Sequence, residues 1–157
     1  MSKSIRIRDA RGADTAALAA FNVAMAMETE NKKLDLGRVQ RGVSAVLEQA
    51  QRGLYLVAEL DAIVVGCLLV THEWSDWRCA DWWWIQSVYV VPPARGNGVF
   101  RALHAQVEER ARMAPEVAGL RLYVERENIG AQRTYAALGM HETAYRIYET
   151  EFSGDRR

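Results

Sequence analysis

The chain has little of several things, and each shortage excludes something. Only two cysteines, Cys67 and Cys79, occur in 157 residues. That is too few for a disulfide framework, and neither has a partner at metal-ligand spacing, so no metal is expected. Cys67 lies in an apolar run and reads as a small buried hydrophobe. Net charge is also absent, with Lys+Arg and Asp+Glu both at 20. No global field therefore draws the protein to nucleic acid or to an anionic membrane, and neither is expected as a partner. No apolar run reaches bilayer-spanning length, and the first residues lack the apolar core of a secretory signal. A cytoplasmic protein is the expectation. There is no internal repeat, low-complexity segment or linker. What is present is ordinary for a globular protein, half hydrophobic and a quarter charged, and a single domain over residues 1–157 is expected.

The most informative stretch is residues 86–101. Gln86-Ser87-Val88-Tyr89-Val90-Val91 has the β-branched and aromatic content of a strand. Pro92 and Pro93 end it, because neither can donate to a ladder. Arg95-Gly96-Asn97-Gly98 follows, and then a helical pattern with Phe100, Leu103, Val107 and Ala111 on one face. Strand, glycine turn and helix together form a cradle for phosphate: the glycines admit close approach, and the first helical amides and the dipole favour an anion. The amides of Gly96, Asn97, Gly98, Val99, Phe100 and Arg101 are the candidate donors, with Arg95 as a fixed charge. No P-loop lysine follows, and the third glycine of a dinucleotide fingerprint is missing. A plain left-handed turn entering a helix is the alternative.

A second pattern lies downstream. Asn128 can cap a helix that Gly139 ends, and Asn128, Ala131, Gln132 and Tyr135 share one stripe at helical spacing. Tyr135 is otherwise readable as a core tyrosine with a satisfied hydroxyl.

These two stretches resemble the signatures of the GNAT superfamily of acyl-CoA-dependent N-acyltransferases. Arg95-x-x-Gly98-x-Phe100 is similar to its first motif, with Phe100 where a small residue is usual. Asn128-x-x-Ala131-x-x-x-Tyr135-x-x-x-Gly139-Met140 is similar to its second, with Met140 for the usual Phe. The resemblance covers nearly the whole chain in element order. It implies an α/β fold (α+β in some schemes), with a mixed, mostly antiparallel sheet flanked by about four helices. It also implies a splayed parallel strand pair, carrying Val88 and Leu122, that admits acetyl-CoA as co-substrate.

The rest of the chain fits that order. Residues 5–8 alternate as a first strand. Asp14 can cap a helix with Leu18, Phe21, Ala24 and Met25 on one face, which continues to Glu28. Glu28 and Glu30 thus fall near a helix C-terminus, where the dipole disfavours anions. They are either a solvated pair near Lys32 and Lys33 or carboxylates at a cleft mouth. A second helix, from Leu36 to about Ala50, is expected to end at Gly53. Residues 54–60 and 63–71 read as a hairpin, and residues 120–125 as the strand after the long helix. Residues 141–152 read as closing strands, His141 as surface polar, and residues 153–157 as fraying. All five tryptophans lie in residues 73–84. Trp82, Trp83 and Trp84 read as strand packing, while Trp74 and Trp77, on either side of Asp76, read as a loop and stay open between an acceptor pocket and a subunit interface.

The resemblance implies an N-acetyltransferase acting by direct attack of a primary amine on acetyl-CoA. The backbone of Val88, Tyr89 and Val90 would pair with the pantetheine, and Asn128 and Ala131 would contact it. Tyr135 would be the general acid for the departing thiolate. The motif strand carries no base, only Gln86 and Ser87, so Glu28 is the candidate base. Glu28, Glu30, Trp74, Asp76 and Gln86 are the candidate acceptor-binding residues, for a small cationic amine. A homodimer is a further expectation. Two other readings stand beside this one: a non-catalytic CoA-binding domain, and a nucleotide-phosphate binder.

Overall fold

The computed structural model describes residues 4–152, so the expected fraying of residues 153–157 lies outside the described residues. The chain divides into two compact units, with the boundary after Leu122.

The first unit is a five-stranded sheet in the order β1 (Ile5–Asp9), β2 (Leu54–Leu60), β3 (Ile63–Ser75), β4 (Ala80–Val90), β5 (Val117–Arg121). The first three pairings are antiparallel and β4–β5 is parallel. Helices α1 (Thr15–Glu30) and α2 (Leu36–Glu48) cover one face, and α3 (Val99–Met113) covers the other. Strand alternation divides the core accordingly. Leu56, Leu68, Val70 and Ile85 pack with Val99, Leu103 and Val107 of α3, whereas Tyr55, Val57, Cys67 and Tyr89 pack with Leu18 and Val43 of α1 and α2. Both faces of β2 and β3 are thereby buried, as their apolar runs predict. Burial pushes the Cys67 thiol up to about 12, so it is an inert core residue.

Several boundaries differ from the sequence-based expectation. The tryptophan-rich stretch is a long hairpin rather than a loop. Its strands stay paired from Thr71↔Trp84 to Ser75↔Ala80, and only residues 76–79 turn. Cross-strand aromatic and β-branched neighbours favour that pairing over the polar turn signals of Ser75 and Asp76. Strand β5 begins three residues earlier than expected and ends at Arg121, because its register is set by pairing with residues 81–84. Helix α2 stops at Glu48, and a 3₁₀ turn, Ala50–Arg52, intervenes before Gly53. A Cβ on Gly53 would lie 2.3 Å from the Val70 carbonyl, so the glycine serves close packing at the sheet as well as the turn. Asp14 starts α1 without a side-chain cap. Its carboxylate instead accepts from Arg8 at 2.8 and 3.0 Å and from the Arg11 amide at 2.7 Å, and Arg8 also donates to Glu59 at 2.7 Å. The Arg8 guanidinium holds the Asp14 carboxyl below its usual range.

The second unit contains α4 (Ile129–Ala137). The Asn128 side chain caps it, accepting from the Ala131 amide at 3.1 Å. Gly139, at φ +87°, closes it, with the Met140 amide donating to the Tyr135 carbonyl. Residues 141–152 form no strand, which corrects the expected closing strands; apolar alternation there is not matched by a ladder.

His104 of α3 is 2% exposed, and its Nε2 has no hydrogen-bond partner among the described residues. Burial lowers its pKa from the ordinary 6.5, outweighing the opposing pull of Glu108, 3.7 Å from Nδ1. The folded state therefore resists a proton that the unfolded chain accepts, so stability falls as pH drops below the unfolded pKa toward the folded one. His104→Leu should be as stable as the wild type at neutral pH, or more so by ~1 kcal/mol. It should also lose less of its unfolding midpoint between about pH 7.5 and 5.5, a window that spans the free-histidine pKa, as checked by thermal melts at the two pH values.

Candidate functional site

Strand β4 runs past its parallel neighbour. The β4–β5 ladder ends at Trp84↔Arg121, while β4 continues to Val90. Beyond Trp84 the edge of β4 on that side has no strand partner among the described residues. A bulge lies in this stretch: Cys67 pairs with Tyr89 and Leu69 with Gln86, so Ser87 and Val88 together oppose Leu68. Ser87 sits in this bulge with a positive φ, +48°, as the first residue of one class of bulge does. An extra residue of this kind bends a strand locally, and here it falls just beyond the end of the β4–β5 ladder.

The glycine turn sits at the carboxyl end of this strand. Pro92–Ala94 forms a 3₁₀ turn, and Gly96 and Gly98 follow at φ +77° and +79°. A Cβ at either position would meet nothing within 4 Å, so both glycines are there for backbone conformation and the space beside them is open. The Asn97 side chain braces the turn, donating to the Ala94 and Arg95 carbonyls at 3.2 and 3.1 Å. Gly98 is the N-cap of α3, and no side chain caps that helix start. A helix start without a side-chain cap favours an anion at its first amides. An acyl-CoA pyrophosphate fits this donor set and conformation.

Three side chains from distant parts of the chain meet beside the turn. Arg95 Nη2 donates to Glu28 Oε2 at 2.7 Å, and Tyr89 Oη donates to Glu28 Oε1 at 3.1 Å. Arg95 Nε donates to the Val90 carbonyl at 2.8 Å, and its guanidinium lies 5.4 Å from the Tyr89 ring centre. A cleft of about 320 Å³ is lined here by Met25, Glu28, Thr29, Val88, Tyr89, Val90 and Arg95. Arg95 holds the Glu28 carboxyl below its usual range against an opposing desolvation, with a lesser contribution from Tyr89. Desolvation, then Glu28, raises the Tyr89 phenol. A carboxylate so engaged has reduced affinity for a proton, which weakens Glu28 as a base. In the sequence Met25 reads only as part of the apolar face that continues to Glu28 three positions on, and Thr29 is not singled out.

The remaining candidates are dispersed. Gln86 lies on the same face of β4 as Tyr89, and its amide donates to the Thr71 hydroxyl. Glu30 is exposed at the end of α1. Trp74 pairs with Asp81, and Asp76 is in the hairpin turn beyond it, so both lie roughly 25 Å along the strands from Tyr89. The structure does not bring them to the Glu28 cleft. Trp74 and Trp77 are 61% and 87% exposed. Trp82 is held between Arg121 and Arg78, whose guanidinium carbons lie 4.0 and 5.0 Å from its ring centre. It fits the packing reading of the strand tryptophans. In the second unit, desolvation raises the half-buried Tyr135 phenol, so it stays protonated at neutral pH.

Because φ is positive and space is open at Gly98, Gly98→Ala should fold normally and cost about 1 kcal/mol. A denaturant midpoint lowered by that amount with unchanged slope is the expected readout.

The acetyltransferase (GNAT) family model matches residues 23–140. A solved structure from Clostridium difficile 630, described as a possible acetyltransferase, is 42% identical; the match covers 94% of this chain and 97% of that one, with a TM-score of 0.88. A predicted acetyltransferase from Clostridium acetobutylicum, solved with acetyl-CoA, is 13% identical over 94% of this chain and 96% of that one, at 0.75. Aminoglycoside N-acetyltransferase AAC(6')-Iy in complex with CoA is 17% identical over 96% and 97%, at 0.76. The last two, at such low identity, show likeness of fold alone. No curated protein matches the chain significantly.

Proposed function

The chain belongs to the GNAT acetyltransferase family, and from that premise we propose that it transfers an acetyl group from acetyl-CoA to a primary amine of a small, cationic acceptor, as a single domain over residues 1–157 in the cytoplasm. The observation that carries this is the uncapped start of α3 behind two left-handed glycines, next to a β4 edge that β5 leaves at Trp84. The relatives solved with acetyl-CoA or CoA support the same co-substrate.

In this reading the amides of residues 96–101 hold the pyrophosphate, and the freed edge of β4 from Val88 to Val90 pairs with the pantetheine. The Val90 carbonyl is already bonded to Arg95, so the edge offers Val88 and the Val90 amide. Amides aimed at the thioester carbonyl stabilise the oxygen as charge develops on it. The neutral amine attacks the carbonyl carbon, the new C–N bond forms and the C–S bond breaks. Tyr135 gives its proton to the departing thiolate and regains one from the solution that receives the amine's surplus proton. Asn128 and Ala131 are assigned to the pantetheine, with the reservation of the Asn128 side-chain oxygen for its helix cap. Gln86 and Glu30 are assigned to the acceptor. The exposed Trp74 and Trp77 are assigned to a homodimer contact.

A non-catalytic CoA-binding domain is the second reading, favoured by one feature: the strand carries Gln86 and Ser87 where a base is needed, and the Glu28 carboxylate is already paired.

Acetyl-CoA and CoA should raise the unfolding midpoint, with a stabilisation of about 2.7 kcal/mol at a hundredfold excess over Kd. ATP and NAD should not, and Gly98→Glu should abolish the shift. Equal shifts with ATP or NAD would contradict the proposal. With an amine panel, Tyr135→Phe should lower kcat on the order of a hundredfold while leaving the acetyl-CoA shift intact. A midpoint shift with no acetyl-CoA consumption by any amine would favour the binding domain.

A further inference from the structure

We infer that Arg95 is a positioning residue that latches the glycine turn to the end of α1, and that Glu28 is its anchor rather than the base of the reaction. The part of this inference that concerns acetyl-CoA rests on the acetyltransferase reading above.

Arg95 is the first residue after the 3₁₀ turn and the last before the two glycines. Its planar guanidinium reaches two acceptors in different elements at once: the Val90 carbonyl at the end of β4 and the Glu28 carboxylate in the last turn of α1. A lysine, with a single ammonium on a flexible stem, cannot reproduce that fork. Both oxygens of Glu28 are engaged, one by Arg95 and one by the Tyr89 hydroxyl. This explains a placement that is unfavourable in isolation, since a carboxylate near a helix C-terminus opposes the dipole. Asn97 ties the middle of the same turn to the carbonyls of Ala94 and Arg95. The turn is thus fixed at its entry by the latch, braced within, and fixed at its exit by α3. Without the latch, two φ-positive glycines on either side of Asn97 leave the entry free to swing. The side chains of the pair are 47% and 41% exposed, so its effect on global stability is small and its role is in where the amides sit.

The test uses the full chain with Glu28→Ala, Glu28→Gln, Arg95→Ala, Arg95→Lys and the Glu28→Ala/Arg95→Ala double variant. Hydrogen exchange of residues 95–98 is measured without ligand; acetyl-CoA Kd by calorimetry, kcat and KM are measured with it. The latch predicts faster exchange in Glu28→Ala and in both Arg95 variants. It predicts an acetyl-CoA Kd weakened about tenfold in Glu28→Ala, 1.4 kcal/mol by the usual conversion. Glu28→Gln, which keeps an acceptor for Arg95, should retain most of the affinity and of kcat. The double variant should be no worse than Arg95→Ala alone, because neighbours acting through one contact are not additive. The acid limb of kcat/KM should be unchanged in Glu28→Gln. Unchanged exchange in the turn, or additive losses, would overturn the latch. So would a kcat lowered a hundredfold or more in both Glu28 variants at unchanged acetyl-CoA Kd with loss of the acid limb, which is the signature of a general base. A wild type that binds no acetyl-CoA would sink the acetyltransferase reading instead, and the exchange data would still decide the latch.

Discussion

The structure depends on the way β4 ends. A strand buried on both faces must satisfy its backbone groups on both edges, and β4 does so against β3 along its whole length but against β5 only as far as Trp84. The bulge at Ser87 turns the strand where the second ladder stops. From there the free edge of β4 is a sheet position awaiting an extended partner. The packing on either side holds it open. Ile85, Val88 and Val90 are fixed against the α3 face, and Tyr89 against Phe21 of α1, with ring centres 5.2 Å apart. Rigid elements thus hold an edge that, among the described residues, pairs with no strand beyond Trp84 and on which Arg95 takes the Val90 carbonyl, a basis for binding an extended ligand.

The anion site follows from the same strand end. Pro92 and Pro93 stop β4, the chain reverses through two left-handed glycines, and Val99, 2% exposed, buries the first turn of α3 against the sheet. The helix start, with no side-chain cap, therefore follows the end of β4 after one short turn in the chain. Arg95 joins them to α1 through Glu28.

Much of this was legible in the residues. The order of strands and helices through α4 and the turn follow from local signals: alternation, helical spacing, adjacent prolines and paired glycines; the parallel pair follows from the helix that joins its strands, and the closing strands expected at residues 141–152 are absent. What was not legible depends on partners far away in sequence. The hairpin at Trp74 and Trp77 looked like a loop because its turn residues are polar, yet cross-strand pairing carries the strands to Ser75 and Ala80. β5 was misplaced by three residues because its register is set by β4. The Ser87 bulge leaves no mark in a chain where serine fits a strand as well as a kink. Glu28 was noticed for its unfavourable place on the helix, but its partner is 67 positions away, and only the fold brings them together. Trp74 and Asp76 were grouped with Glu28 by chemistry alone; the length of the hairpin separates them.

The central claim is that the freed edge of β4 and the glycine turn together are the acyl-CoA site. Hydrogen exchange across the intact protein, with and without saturating acetyl-CoA, tests it most directly. The account predicts slowed exchange at the amides of residues 88–90 and 96–101, with the β1–β2 and β2–β3 ladders unchanged. Protection confined to other parts of the chain, or none at a ligand concentration that demonstrably binds, would contradict it.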